Sequence, residues 1–293
     1  MQRISASRRV FLIFNYVFLI GVGLLCLLPI IHILAVSLSS RGAATAGAVG
    51  LWPVDLTWSS YQYVLTKPQF LTSMGVTAQR VVLGTSLSMF LTLIIAYPLS
   101  KEARVFQLRT FYAWFFVFTT LFSGGLIPWY MTVRDTGLID SIWALVIPGA
   151  VPVFNVILLL NFFRGLPKEL EESCFMDGGS YWSSLWRIYA PLSLPAMATV
   201  TLFTIVGHWN SWFDGLILMN TPEKYPLSSY LQTVIVQENL NKISADQAAM
   251  LADVSNRTFK AAQIFVGSLP ILLVYPFLQR FFVKGIVLGS VKE

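Results

Sequence analysis

Residue types able to do chemistry are few in this chain, and they are scattered. The two histidines, His32 and His208, and the two cysteines, Cys26 and Cys174, have no acidic or cysteine companion at metal-ligand spacing. No P-loop pattern marks a nucleotide site, and no nucleophile elbow singles out a serine. Acids and aromatics gather instead in one polar stretch, residues 167–191 (PKELEESCFMDGGSYWSSLWRIYAP). Pro167 suits the first turn of a helix, where Glu169, Glu171 and Glu172 complement the positive end of the dipole. Gly178 and Gly179 stop that helix and permit positive φ. Ser180 can cap a second helix, whose Trp182, Leu185, Trp186 and Tyr189 fall on one face at i, i+3, i+4 and i+7. A bent helix pair tied at both ends to apolar runs can pass movement from a soluble partner to those runs. The plainer alternative is an interfacial loop with tryptophans among lipid headgroups.

The elements that must position this stretch are membrane spans. Hydrophobic residues make up 56% of the chain and charged ones 12%, about half the charged share of a soluble domain. Val10–Val36 carries no formal charge, follows Arg3, Arg8 and Arg9, and is too long for the apolar part of a signal peptide. Pro29 should kink it. Residues 41–70 read as an external loop with an interfacial aromatic stretch (Trp52, Trp58, Tyr61, Tyr63). A second span covers Val76–Leu99, where Arg80 is expected to snorkel to the outer headgroups rather than line a path. The third, Phe111–Val133, breaks near Gly124, Gly125 and Pro128, which predicts a position inside the bundle. Ser141–Phe163 is the fourth, with Pro148 and Pro152 within it. Leu192–Met219 is the fifth and Ala262–Val283 the sixth. Residues 220–260 form a long outer segment, with a capping box at Ser244 and Gln247.

Charge orients these six spans. The larger share of the 20 Lys and Arg residues falls on one side: Arg3, Arg8, Arg9, Lys101, Arg104, Arg109, Arg164, Lys168, Arg187, Arg280, Lys284 and Lys292. The segments that carry them are also the shorter ones, so that side and both termini are expected to be cytoplasmic. The net charge of +6 is thus an orientation signal, since no basic and aromatic face suits nucleic acid.

The order Glu172, Gly178, Ile188, Pro191 resembles the EAA loop of ABC importer permeases (EAA, three residues, Gly, nine residues, Ile, one residue, Leu-Pro). Ser173 and Cys174 replace the two alanines, and Ala190 replaces the leucine. Ile127-Pro128, Gly137-Leu138, Leu145 to Pro148, Trp209-Asn210 and the ending from Pro270 to Lys292 extend the resemblance to carbohydrate-uptake permeases of the maltose-permease G-subunit type. The segments LLPIIHILAVSLSS and LWPVDLT look most like the subgroup that imports acidic sugars such as aldouronates and alginate.

The resemblance implies an all-α, polytopic membrane protein with six transmembrane helices. It is a single permease domain over residues 1–293, with a cytoplasmic coupling loop at 167–191 and an external loop at 220–260. This chain would be half of a pore in a bacterial inner membrane and non-catalytic. A second permease, two ATPase subunits holding ATP and Mg, and an external solute-binding protein would complete the importer. The ATPase-coupling residues would be Glu172, Ser173, Cys174, Phe175, Met176, Asp177, Gly178, Trp182, Ile188 and Pro191. Aromatic platforms and amide donors suit sugars, which makes Trp209, Asn210, Trp212 and Trp129 candidates for the substrate path. Arg134 or His208 could serve a polyanion. The rival class is a proton- or ion-coupled secondary transporter, which calls for internal inverted repeats; none is visible. A membrane enzyme would need a reactive cluster that the sequence lacks.

Overall fold

The computed structural model describes residues 6–236 and 256–290, with side chains through residue 277. All regular structure among them is helical. The helices are α1 (Ala6–Ser37), α2 (Arg41–Thr45), α3 (Ser59–Leu65), α4 (Pro68–Ser100), α5 (Arg109–Leu121), α6 (Leu126–Asp135) and α7 (Ile142–Val146). There follow α8 (Val153–Arg164), α9 (Glu169–Met176), α10 (Tyr181–Leu192), α11 (Leu194–Asn210), α12 (Phe213–Leu218), α13 (Leu227–Val236) and α14 (Asn256–Ser290). Three stretches, Ser7–Ser37, Pro68–Ser100 and Asn256–Phe277, are each long and apolar enough to cross a bilayer. Two bent pairs have together the length and composition of a broken span or a re-entrant loop: α5 with α6 turns by 115°, and α10 with α11 by 81°. The expected fourth span appears as short α7 and the apolar α8, parted at Pro148 and Pro152. The capping box at Ser244 lies outside the described residues, and the last helix is described from Asn256.

The chain divides into two compact units, Met1–Phe70 with Thr233–Leu269 and Leu71–Gln232 with Pro270–Glu293. In the first, the C-terminal end of α1 packs with residues 43–49 and the start of α14 through Ala35, Val36, Ala44, Val49 and Ala261. Polar ties fix the loop: Ser37 Oγ lies 2.7 Å from Tyr61 Oη, and Arg257 Nη1 donates to Ala44 O at 3.2 Å. The stretch read as an interfacial loop therefore contains two short helices with a built interior.

In the second unit, α4 buries a stripe of small and polar residues. Ser73, Thr77, Arg80, Gly84, Ser88 and Thr92 recur at i+3 or i+4, and the side chains among them are all buried. Small residues let helix backbones approach closely in lipid, where no hydrophobic force drives helix against helix. Thr77 Oγ1 accepts from Leu227 N at 2.6 Å. At Gly84 the approach is so close that a methyl group would collide with the His208 ring of α11. Deeper along α4 the stripe turns apolar. Leu93, Ala96, Tyr97 and Leu99 join Val156, Leu159, Leu160 and Phe163 of α8 and Leu185, Tyr189 and Ala190 of α10 in the main core.

One expectation is overturned here, that for Arg80. Within this chain α5 has no buried residue, and Phe111, Trp114, Phe115, Phe118 and Leu121 are exposed. At its break Gly125 takes φ +88° and its N–H donates to Ser123 Oγ at 3.2 Å. Arg80 does not reach outward. It is 3% exposed and paired with Asp214 at the start of α12.

Gly84→Ala should therefore destabilise the protein by about 1–3 kcal/mol through overpacking. Adding His208→Ala should recover part of that loss, read as melting temperatures of the two variants in detergent.

Candidate functional site

The polar stretch folds as two helices around a glycine corner. The α9 helix ends in a Schellman motif: Gly178 N donates to Phe175 O at 3.0 Å and Gly179 N to Cys174 O at 2.8 Å. Gly178 holds φ at +79°, and a Cβ on Gly179 would press within 2.8 Å of Cys174 O. Ser180 Oγ then caps α10 by accepting from Ser183 N at 3.3 Å.

α10 does not keep a single α-helical face. Residues Leu185–Tyr189 form a π-turn, in which Ala190 N reaches back to Leu185 O. Pro191 follows, with no N–H to continue the ladder and a ring that crowds the carbonyl four residues back. The wide turn separates the four residues expected to lie together. Leu185 and Tyr189 are buried in the main core, whereas Trp182 and Trp186 stay outside, edge to face at 5.9 Å.

One carboxylate ties this stretch to the membrane part, and it belongs to Glu171, a residue that the sequence pattern does not single out. Tyr97 Oη donates to its Oε1 at 2.8 Å and Tyr189 Oη to its Oε2 at 3.1 Å. Lys101 Nζ lies 2.6 Å from Oε1 and 4.0 Å from the centres of both tyrosine rings. Burial pulls the Lys101 pKa down, and Glu171 opposes that shift. The carboxylate thus joins α9 to the C-terminal end of α4 and to α10. A cavity of about 290 Å³ lies beside it, lined by Tyr97, Pro98, Lys101, Phe106, Trp182 and Leu185 among others.

The expected coupling residues lie around this joint. Glu172, Ser173, Phe175, Met176, Asp177 and Gly178 are exposed, and Cys174 is a half-buried free thiol. Phe175 packs edge to face on Tyr181 at 4.9 Å. Met176 is 88% exposed and Trp182 57%. Ile188 packs against the main core, and Pro191 is exposed. A second, outer tie pairs Lys168 with Glu102; it lowers the Glu102 pKa and raises that of Lys168.

A larger cavity, about 500 Å³, lies between α4, α6, α8 and α11. Arg80, Trp129, Phe154, Asn155, Phe203, Thr204, His208, Ser211 and Asp214 line it. Of the expected path residues it brings together Trp129 and His208. Trp209, Asn210 and Trp212 are not in its lining. Thr204, His208 and Ser211 succeed one another on one side of α11, and the intervening Trp209 and Asn210 turn elsewhere. Arg134 is half exposed and pairs with its neighbour Asp135 at 2.9 Å. Arg80 and Asp214 are the charged residues of the lining that sequence reasoning missed. Their signal was present, since a charge within an apolar run calls for an opposite one in another.

Over residues 126–287 the sequence matches the family described as the binding-protein-dependent transport system inner membrane component. The chain belongs to that family. It is 42% identical to Protein LplC of Bacillus subtilis over 288 residues, covering 98% of this chain and 97% of that one. It is 36% identical to the polygalacturonan/rhamnogalacturonan transport system permease protein YtcP of the same organism, covering 98% and 99%. A crystal structure of a bacterial ABC transporter involved in the import of the acidic polysaccharide alginate contains a chain that superposes with a TM-score of 0.87. The identity is 36%, and 96% of this chain and all of that chain are covered. The protein is thus a multi-pass inner-membrane permease subunit of an ABC importer, with the all-α fold that the resemblance implied.

Two outcomes follow. Glu171→Ala leaves Lys101 buried without its counter-charge and should cost about 3–5 kcal/mol. Glu172→Ala, at an exposed position, should stay within about 0.5 kcal/mol, both measured by thermal melting in detergent. The Glu102 carboxyl is held below its ordinary 4.5, so its contribution is present above that pH and fades as the pH falls through the folded value. The melting-temperature gap between wild type and Glu102→Gln should accordingly exist at neutral pH and close in acid.

Proposed function

We propose that this chain is the G-type half of the pore of an importer for acidic saccharides, and that residues 167–191 dock on an ATPase subunit. The observation that carries this reading is the exposed apolar tip formed by Phe175, Met176 and Trp182 on a corner joined to α4 through Glu171. A partner surface that takes up the tip gains the burial of three large apolar side chains. Movement of the tip then reaches the inner end of α4 through a buried ion pair and two hydrogen bonds. ATP and Mg belong to the two partner ATPases, and this chain contributes no catalytic group. A second permease completes the path, and a solute-binding protein delivers cargo outside, where residues 220–260 would lie. Both termini face the cytoplasm, in line with the Lys and Arg distribution. The carbohydrate class rests on the polygalacturonan/rhamnogalacturonan and alginate transport named for two relatives. Within the coupling loop, Glu172, Ser173, Cys174, Asp177, Ile188 and Pro191 shape and flank the docking tip, and Gly178 is its corner.

Reconstitution with the partner permease, the ATPases and the binding protein in proteoliposomes tests this reading. Uptake of an acidic oligosaccharide should require ATP. Gly178→Pro, which forces φ from +79° to about −65° and removes a bonded N–H, should lower uptake at least about tenfold. Undiminished uptake by the variant, or full uptake with no ATPase present, would refute coupling through this corner.

A further inference from the structure

We propose that the 500 Å³ cavity is a subsite for one uronate unit of the cargo, and that the Arg80 guanidinium binds its carboxylate. The proposal rests on the importer reading above and adds to it a place and a chemistry. Arg80 places a guanidinium, with its planar fork of donors, in the wall of the cavity. One side of the guanidinium is already taken. Nη1 donates to Asp214 Oδ1 at 3.2 Å and to Ser211 O at 3.4 Å, and Nη2 donates to Asp214 Oδ2. Nε, however, is buried and has no acceptor among the described residues. A guanidinium can take one carboxylate end-on through its two Nη groups and a second side-on through Nε and Nη2. The second edge of Arg80 is the unfilled one.

Asp214 is placed so that it can share its cation. Its Oδ1 also accepts from Ser211 Oγ at 2.8 Å and from Gly215 N at 2.9 Å. If Nη2 swings to an incoming carboxylate, Asp214 keeps two donors and is not left bare in a region of low dielectric. This distinguishes the site from a purely structural pair, in which each ion depends on the other alone. Nε is closed to the cavity as the structure stands, and Ser211 and Asp214 flank the break between α11 and α12, the place where a shift would have to expose it to cargo.

The remaining lining suits a sugar ring. Trp129 and the Phe154–Phe203 pair, with centroids 6.2 Å apart, offer apolar faces to ring C–H groups. Asn155 and His208 supply polar atoms to the same space. The volume falls in the range of about 300–1,000 Å³ usual for small-molecule sites. A neutral sugar offers Arg80 only a hydroxyl or ring oxygen, whereas a uronate offers a carboxylate and a stronger, charge-assisted hydrogen bond.

The test uses the full importer in proteoliposomes, with oligogalacturonate and its carboxyl-reduced, neutral counterpart as paired cargo. Arg80→Gln and the apolar exchange Arg80→Met/Asp214→Leu are compared with wild type. The double variant removes both ions, so no unpaired charge remains to unfold the protein, and its melting temperature checks that it folds. Wild type should import oligogalacturonate in preference to the neutral chain. Both variants should lower the acidic-to-neutral uptake ratio about tenfold or more, the loss expected for a hydrogen bond to a charged group. Arg80→Lys, which keeps the charge without the fork, should fall between. An unchanged ratio in the folded double variant overturns the subsite and makes the pair structural. An equal loss of both cargoes overturns it in the same way. ATP-dependent uptake of the neutral chain alone by wild type would sink the uronate site and leave the importer standing. No ATP-dependent uptake of either cargo would instead defeat the importer reading on which the site depends.

Discussion

The carboxylate of Glu171 is the interaction on which the packing of residues 167–191 against the second unit depends. It receives Tyr97 and Lys101 from the end of α4 and Tyr189 from α10, and it stands on α9 itself. The end of α4, 74 positions earlier, and the neighbouring α10 thus converge on two oxygen atoms of α9. Buried charge is usually a cost, but here the anion meets a cation and two hydroxyl donors, which together replace the water it loses. A helix pair held in this way cannot slide on the end of α4 without breaking an ion pair and two hydrogen bonds.

The membrane half solves a related difficulty by different means. Spans broken at glycine or proline free backbone groups that lipid cannot satisfy. The α5–α6 break uses Ser123 and a positive φ at Gly125, and the α11–α12 break places Ser211 O within reach of Arg80. Beside the second break α4 offers its small and polar stripe, so α11 can come close enough for His208 to rest over Gly84. Apolar packing takes over towards the C-terminal end of α4, where the main core joins α4, α8 and α10.

Much of this could be read from residue order. Apolar run lengths placed the spans, Gly124 and Gly125 marked a break, and the Gly178–Gly179–Ser180 succession predicted the corner and its cap. What escaped has physical causes. The four aromatic and aliphatic residues of α10 were expected on one face because an α-helical period was assumed. A π-turn ahead of Pro191 alters that period, and a local pattern does not contain it. Arg80 read as a snorkelling residue because its counter-ion lies 134 positions away, beyond any window of periodicity. Glu171 stood among three acids that fit the helix dipole equally well, and only tertiary packing separates it from Glu169 and Glu172. Likewise Trp209 and Asn210 have suitable chemistry for a sugar path, but residue order does not say which of the α11 residues line the cavity that holds His208 and Trp129.

The wide turn in α10 has a consequence for the life of the subunit. By turning Trp182 and Trp186 outward while Leu185 and Tyr189 anchor the core, it leaves a greasy knob beside Met176 that this chain cannot cover. If residues 167–191 dock as proposed, the finished assembly covers that knob. A copy made in excess of its companions would then be adhesive at that spot, so balanced production of the subunits would follow from the geometry of one irregular helical turn.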